Sequence, residues 1–302
     1  MEQLGDTACL ERVHTHTIDV IENQSKSVLP NLAILSDARS TLLGELPDEG
    51  LGTETATEHL LKSIAPALNG ASLSPNYYGF VTGGITPAAR IAEGLVSLYD
   101  QSPQVHLPNQ TVATNVEDKA LRLLMELFYF DPSAWSGVFT TGATASNVLG
   151  LACGREHIIN ERLKSRLGGD SNETLGSLGL LRACSLAGIE DIHIYTTMAH
   201  SSLYKASSIL GLGRSCIKDL RSSESGLNFD FDLLEEKLAS GENNSASIVA
   251  ISCAEVNTGL FATSGIQDLR RLRQLCDRYR AWIHVDGGKA LRNCLSLATD
   301  DY

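Results

Sequence analysis

Several things are scarce or missing in this chain, and each absence narrows the reading. No apolar run approaches the ~18 residues of a membrane span, and the N-terminus carries Glu2 and Asp6 with no long apolar core. Neither a membrane segment nor a signal peptide is therefore expected. No two of the seven cysteines (Cys9, Cys153, Cys184, Cys216, Cys253, Cys276 and Cys294) have CxxC spacing, and their number is odd. That pattern fits reduced thiols in a cytoplasmic protein better than a disulfide framework. Basic residues are outnumbered, 24 Lys and Arg against 36 Asp and Glu, for a net charge of -12. Nucleic acid and anionic membranes need clustered positive charge, so neither is expected as a partner. There is no internal repeat and no low-complexity tract.

What is present is a soluble globular composition, 43% hydrophobic and 20% charged over 302 residues. Residues 1–70 read as a helical arm. Thr17 to Leu29 and Glu54 to Ala65 have apolar residues at three-to-four spacing, broken by Pro30, Pro47, Gly50 and Pro66. From residue 71 to 302 the pattern changes. Thr86 to Tyr99 predicts a helix with Pro87 in its first turn. Asn115 to Phe128 predicts an amphipathic helix with Asn115 as its N-cap. Then strands and helices alternate. The predicted strands are Gly137–Thr141, Ile192–Thr196, Cys216–Leu220, Ile248–Cys253 and Ala281–Val285. The predicted helices are Val148–Leu163, Leu203–Leu210, Leu233–Ala239 and Ile266–Tyr279. Such alternation implies an α/β fold with a mostly parallel sheet.

In open α/β sheets ligands sit beyond the carboxyl ends of strands. Four features fall there. One is the small-residue loop at Gly142–Thr144, which opens a helix and can turn free N–H groups and a helix dipole toward an anion. The others are His200, the Asn257-Thr258 pair and Asp286. Each has an ordinary alternative. Small residues open many helices, a histidine before a helix is often its cap, and an acid at a strand end often caps a turn. Taken together they match a planar, phosphorylated nitrogen heterocycle. The phosphate would lie on the helix N-terminus, the carboxylate on a protonated ring nitrogen and the imidazole on the ring face. Pyridoxal 5'-phosphate has these requirements. The aromatic loop Pro75–Gly84, with Tyr77, Tyr78 and Phe80, reads either as an ordinary turn or as a substrate-facing loop.

The motifs also carry a resemblance. Asn76–Ala88 (NYYGFVTGGITPA), Thr111–Glu117, Gly137–Asn147 (GVFTTGATASN), Ala199–Ala206 (AHSSLYKA), Ala254–Gly259 (AEVNTG) and Trp282–Gly287 (WIHVDG) run in order over roughly residues 70 to 290. In these stretches the chain resembles the group II pyridoxal-phosphate-dependent amino-acid decarboxylases. The resemblance implies the large domain of the aspartate-aminotransferase-like fold, fold type I. It implies loss of the carboxylate of an L-amino acid, leaving an amine and carbon dioxide, in a homodimer acting on a small-molecule substrate. It implies that Ala143 and Thr144 hold the phosphate, that His200 stacks on the ring and that Asp286 pairs with the ring nitrogen. Asn257 or Thr258 would lie near the phenolic oxygen, and Tyr78 and Phe80 near the substrate side chain.

The resemblance weakens after Gly288. Where the family has small and aromatic residues, this chain has Lys289-Ala290-Leu291-Arg292-Asn293. The family's Schiff-base lysine would lie about thirty residues past Asp286, beyond Tyr302, together with the C-terminal small domain. Lys289 is too near Asp286 to replace it, and Lys205 is expected to be a solvated surface lysine. Three readings follow: a family enzyme represented by a truncated chain, a non-catalytic relative that binds cofactor or a sister subunit, or another fold-type-I lyase, which the AHSS and AEVNTG stretches disfavour.

Overall fold

Ser245–Ser252 (SASIVAIS) is the most apolar strand of the chain and is buried along nearly its whole length. Its β-branched residues suit a pleated surface, and burial on both faces removes the usual polar alternation. This run anchors the fold seen in a computed structural model of the chain, which describes residues 2–23, 29–74, 77, 84–168, 172–222, 226–241 and 244–288. Two compact units divide at residues 105 and 106.

The first unit, residues 1–105, is helical. It contains α1 (Glu2–Glu22), α2 (Leu32–Ser40), α3 (Gly52–His59) and α4 (Pro87–Tyr99). Helix α1 starts well before the predicted Thr17, and part of the predicted stretch, residues 24–28, lies outside the described residues. Asn31 caps α2 by accepting the Ile34 N–H at 2.9 Å. Helix α3 runs on through a wider turn at Leu60–Ile64, and Pro66 sits in the short 3-10 turn that ends it. Arg12 of α1 and Glu54 of α3 pair at 2.8 Å. For α4 the predicted Thr86–Tyr99 holds to within one residue: the helix starts at Pro87, and Thr86 is its N-cap.

The second unit, residues 106–302, carries the sheet. Its elements are α5 (Ala113–Leu127), α6 (Ala143–Leu167), α7 (Leu175–Leu178), α8 (Leu180–Ala187), β1 (Asp191–Thr196), α9 (Ser201–Ile209), β2 (Ile217–Asp219), α10 (Phe231–Ser240), β3 (Ser245–Ser252), α11 (Ile266–Arg278) and β4 (Trp282–Asp286). Strand order is β2-β1-β3-β4, all parallel. This is the expected α/β sheet. Alternate residues of β3 point to opposite faces. Ile248 and Ala250 pack with Leu151, Ile158, Ile159 and Leu163 of α6 and with Leu203 and Ala206 of α9. Val249 and Ile251 pack with Leu234 and Leu238 of α10 and with Leu272, Leu275 and Cys276 of α11. Helices thus cover both faces, as a buried parallel sheet requires. Among the described residues no helix is long and apolar enough to cross a membrane.

Two local expectations are corrected. Gly137–Thr141 is not a strand. Val138 and Phe139 are 62% and 54% exposed, and no described residue pairs with this segment in the sheet. Apolar content predicts extended backbone, but a strand exists only through its ladder. Asn115 is not the cap of α5. The helix begins at Ala113, and the Thr111 hydroxyl accepts the Ala113 N–H at 3.2 Å, which leaves Asn115 inside the first turn.

Helix α6 lies against β4 because two glycines, one turn apart, let it. A Cβ at Gly150 would come within 2.6 Å of the His284 ring, and a Cβ at Gly154 within 2.6 Å of the Trp282 ring. His284 is buried and Trp282 packs into the core cluster, so neither ring can easily yield. In an unencumbered helix Gly→Ala stabilises by about 0.8–1 kcal/mol. Here Gly150→Ala is expected to destabilise instead, by about 1–2 kcal/mol after overpacking outweighs that gain. Urea denaturation of Gly150→Ala beside a control at exposed Gly94 of α4 reads the reversal of sign.

Candidate functional site

The carboxyl ends of β1, β3 and β4 and the start of α6 build one group of polar side chains. Along β4, His284 and Asp286 are two residues apart and so share a face. That face is the one α6 covers. From α6, Asn147 reaches both. Its amide nitrogen donates to Asp286 Oδ2 at 3.0 Å and its amide oxygen meets His284 Nε2 at 2.9 Å. The same amide nitrogen donates to Ser202 Oγ at 2.9 Å, at the start of α9. Ser202 Oγ lies 2.7 Å from His200 Nδ1, which also accepts the Ser202 backbone N–H at 3.2 Å. His200 is thus the N-cap of α9, as the ordinary reading had it, and its ring is nonetheless exposed at the end of β1. With Nδ1 accepting the Ser202 N–H, the ring's donor position is Nε2.

One turn earlier in α6 lie Ala143 and Thr144. Gly142 carries no capping side chain, and the first intrahelical bond runs from Ser146 N–H to the Gly142 carbonyl at 3.1 Å. The amides of Ala143, Thr144 and Ala145 precede it and take no backbone partner within the helix. Ala143 and Thr144 are exposed. A Cβ built on Gly288, just past β4, would sit 3.8 Å from the Ala143 Cβ. The uncapped start of a 25-residue helix therefore lies beside the loop that leaves Asp286. Free N–H groups and the helix dipole make that end suited to an anion.

Burial pushes the His284 imidazole below its ordinary range, with Asp286 pulling weakly the other way. The Asn147 bond falls on Oδ2 of the Asp286 carboxylate, at a rigid strand end. No cluster of three metal-ligating side chains occurs among the described residues.

The loop after β3 is built around Glu255. Its carboxylate is 8% exposed and receives four hydrogen bonds, from the backbone N–H and side chain of Asn257 and from those of Thr258, at 2.7–3.0 Å. Burial by itself raises this carboxyl, and the hydrogen bonds together outweigh it and hold it below the ordinary carboxylate range. The turn holds Ala254 at φ 60. Cys253 N–H bonds to the Asp286 carbonyl at 3.0 Å, which ties the turn to the end of β4.

The structure therefore gathers Asp286, His200 and the Ala143–Thr144 helix start into one place. Asn257 and Thr258 lie on the adjacent turn, with both side chains directed to Glu255. Tyr78 and Phe80 lie outside the described residues, as does Lys289. Lys205 is exposed on α9, as a surface lysine should be. Sequence reasoning missed Asn147, Ser202, His284 and Glu255. The signals were modest. His284 alternates with Asp286, and Asn147 is one helical turn past Ala143, so period-2 and period-3.6 arithmetic bring both to the same spot. Glu255 had no signal, since a glutamate before a turn is normally solvated.

Comparison with known proteins bears on the fold. No family model matches the chain. In sequence it is 25% identical over 154 residues to an L-2,4-diaminobutyrate decarboxylase of Acinetobacter baumannii, a match covering 51% of this chain and 28% of that protein. In structure it is similar to the glutamate decarboxylase domain of a diaminobutyrate-pyruvate transaminase and L-2,4-diaminobutyrate decarboxylase from Vibrio parahaemolyticus. That likeness has a TM-score of 0.70 and 20% identity, and covers 92% of this chain and 57% of that one. The Oryza sativa protein TDC, solved with PLP and tryptamine, is similar with a TM-score of 0.67 and 20% identity, over 94% of this chain and 56% of that one. The chain thus resembles the group II decarboxylases and has their fold-type-I large-domain fold, and it spans a little over half the length of these solved chains.

Proposed function

We propose that residues 106–288 form the cofactor-binding part of a pyridoxal-phosphate-dependent enzyme that removes the carboxylate of an L-amino acid. The observation that carries this reading is the bond from Asn147 to Asp286. It sets a strand-end carboxylate one helical turn from an uncapped helix start, so an acid and an anion seat share one rigid scaffold. The donor set fits pyridoxal 5'-phosphate. The first-turn amides of α6 at Ala143 and Thr144 would hold the phosphate. Asp286 would hold the proton of the ring nitrogen, and the exposed His200 would cover the ring. Asn257 or Thr258 would face the phenolic oxygen only by giving up a bond to Glu255. Tyr78 and Phe80 are proposed for the substrate side on the resemblance alone.

When bound, this cofactor supplies an electron sink for the pair left by the departing carboxylate. The chain's own share is electrostatic and positional. Asp286 would offer its carboxylate to the ring nitrogen. Asn147 holds that carboxylate through its amide N–H, and the positive end of α6 would meet the phosphate. The homodimer and the cytoplasmic setting belong to the same proposal, as does a small amino acid as substrate.

A second reading is that of a non-catalytic relative. Under it the chain binds the cofactor without turning substrate over. Carbon dioxide release from a panel of L-amino acids, assayed with the purified chain and added pyridoxal phosphate, separates the two. Release that depends on Asp286 supports the enzyme. Cofactor binding without release supports the second reading, and no cofactor binding removes both.

A further inference from the structure

In the Asn147 network Asp286 is the acceptor-only group, and the direction of the bonds follows from it. Asp286 as a carboxylate can only accept, so Asn147 must turn its nitrogen toward Oδ2. The second hydrogen of that nitrogen goes to Ser202 Oγ. The amide oxygen is left facing His284 Nε2 at 2.9 Å, and only a protonated Nε2 can satisfy it. Every hydrogen of the amide, and its oxygen, is thereby committed. Asn147 is 3% exposed, so water cannot substitute for any of these bonds. An asparagine buried inside a 25-residue helix is also costly by propensity and by polarity unless its side chain is fully used.

We propose that Asn147 is a positioning residue with two separable halves: its N–H half aims Asp286 at the ligand, and its oxygen half fixes His284 as the Nε2–H form. The importance of aiming Asp286 rests on the cofactor reading above, whereas the His284 half does not. His284 has no contact with the ligand seat in this scheme. It acts as a post, held in its buried slot against Gly150, that keeps the Asn147 amide from flipping end over end. Burial keeps the ring uncharged, so that the position of its single proton is a meaningful readout.

The two halves are tested by two substitutions of similar size. Asn147→Asp keeps an oxygen for His284 but removes the N–H donors. It also sets a second carboxylate against Asp286, and two such groups hold one proton between them instead of both staying ionised. Asn147→Ala removes both halves. The readouts are the His284 tautomer, from 15N shifts of the histidine-labelled full chain without cofactor, and pyridoxal phosphate affinity by titration. In the wild type the His284 proton is expected on Nε2. In Asn147→Ala the Nε2–H to Nδ1–H ratio is expected to fall by about fivefold or more, the loss of one ordinary hydrogen bond. In Asn147→Asp that ratio is expected to be retained, while cofactor affinity falls by about tenfold or more, as in Asn147→Ala.

A wild-type His284 with its proton on Nδ1 overturns the proposal without any variant, which covers the case of a substitution that does not fold. So does an Asn147→Asp chain that loses the tautomer or keeps full affinity, since a residue that only fills space has no reason to split the two readouts. If the wild type binds no pyridoxal phosphate but His284 follows the expected pattern, the cofactor reading fails and the oxygen half stands. If the cofactor binds and the tautomer pattern fails, the reverse holds.

Discussion

Replacing Asp286 with asparagine is expected to lower pyridoxal phosphate affinity about a hundredfold while leaving the fold intact, the size of a charged hydrogen bond of about 3 kcal/mol. The side chain stays the same size, and its oxygen can still accept from Asn147, now at 3.0 Å in the wild type. Only the negative charge is lost. Asp286→Ala should match it in affinity but differ in stability. The Asn147 N–H then points at nothing in a buried site, which costs about 1–3 kcal/mol. Titration calorimetry gives the first quantity and urea denaturation the second. An Asp286→Asn chain that binds the cofactor as tightly as the wild type would mean that this acid is a strand-end turn cap and no more.

The second large effect is expected at Glu255. Asp286 serves a ligand, whereas Glu255 serves the turn itself. Four donors from two residues converge on its carboxylate. Glu255→Ala leaves the Asn257 and Thr258 amides without their acceptor and is expected to cost about 3 kcal/mol, with water recovering part of the loss at the exposed side chains. Glu255→Gln keeps half the acceptors and should cost less. The pH dependence gives the mechanism. The carboxyl is held below its ordinary range in the folded chain. It therefore contributes stability above its unfolded pKa of about 4.3, and that contribution is lost as pH falls through the lower folded value. The stability gap between wild type and Glu255→Gln should be full at pH 7 and close progressively below about pH 4. A gap that stays constant with pH would mean that the carboxylate charge plays no part in holding the turn.

What could be read from the sequence follows from how local each signal is. β3 and β4 were legible because each is a short apolar run between turn residues, and α4 because Thr86 and Pro87 mark its start. Asp286 and His200 were legible because strand ends followed by glycine or serine put polar groups at the sheet's rim. Gly137–Thr141 misled because a ladder partner, which makes a strand, is a non-local fact. Asn115 misled because Thr111, four residues earlier, took the role of first-turn acceptor. The support of the site was harder to see. Asn147, Ser202 and His284 come from α6, α9 and β4, separated by more than fifty residues at each step, and only the packing of α6 through Gly150 and Gly154 joins them. Asn257 and Thr258 lie on the turn after β3, and which way their side chains point depends on Glu255, whose burial no periodicity announces.

The central claim is that Asp286 holds a proton on the nitrogen of a bound pyridine ring. The most direct measurement is the 15N resonance of ring-labelled pyridoxal phosphate added to the full chain and to its Asp286→Asn variant. The wild type should move the ring nitrogen to the upfield position of a protonated pyridinium at a pH where the free cofactor is not protonated, and the variant should not. An unprotonated ring nitrogen in the wild-type complex, or the same shift in both chains, would contradict the account.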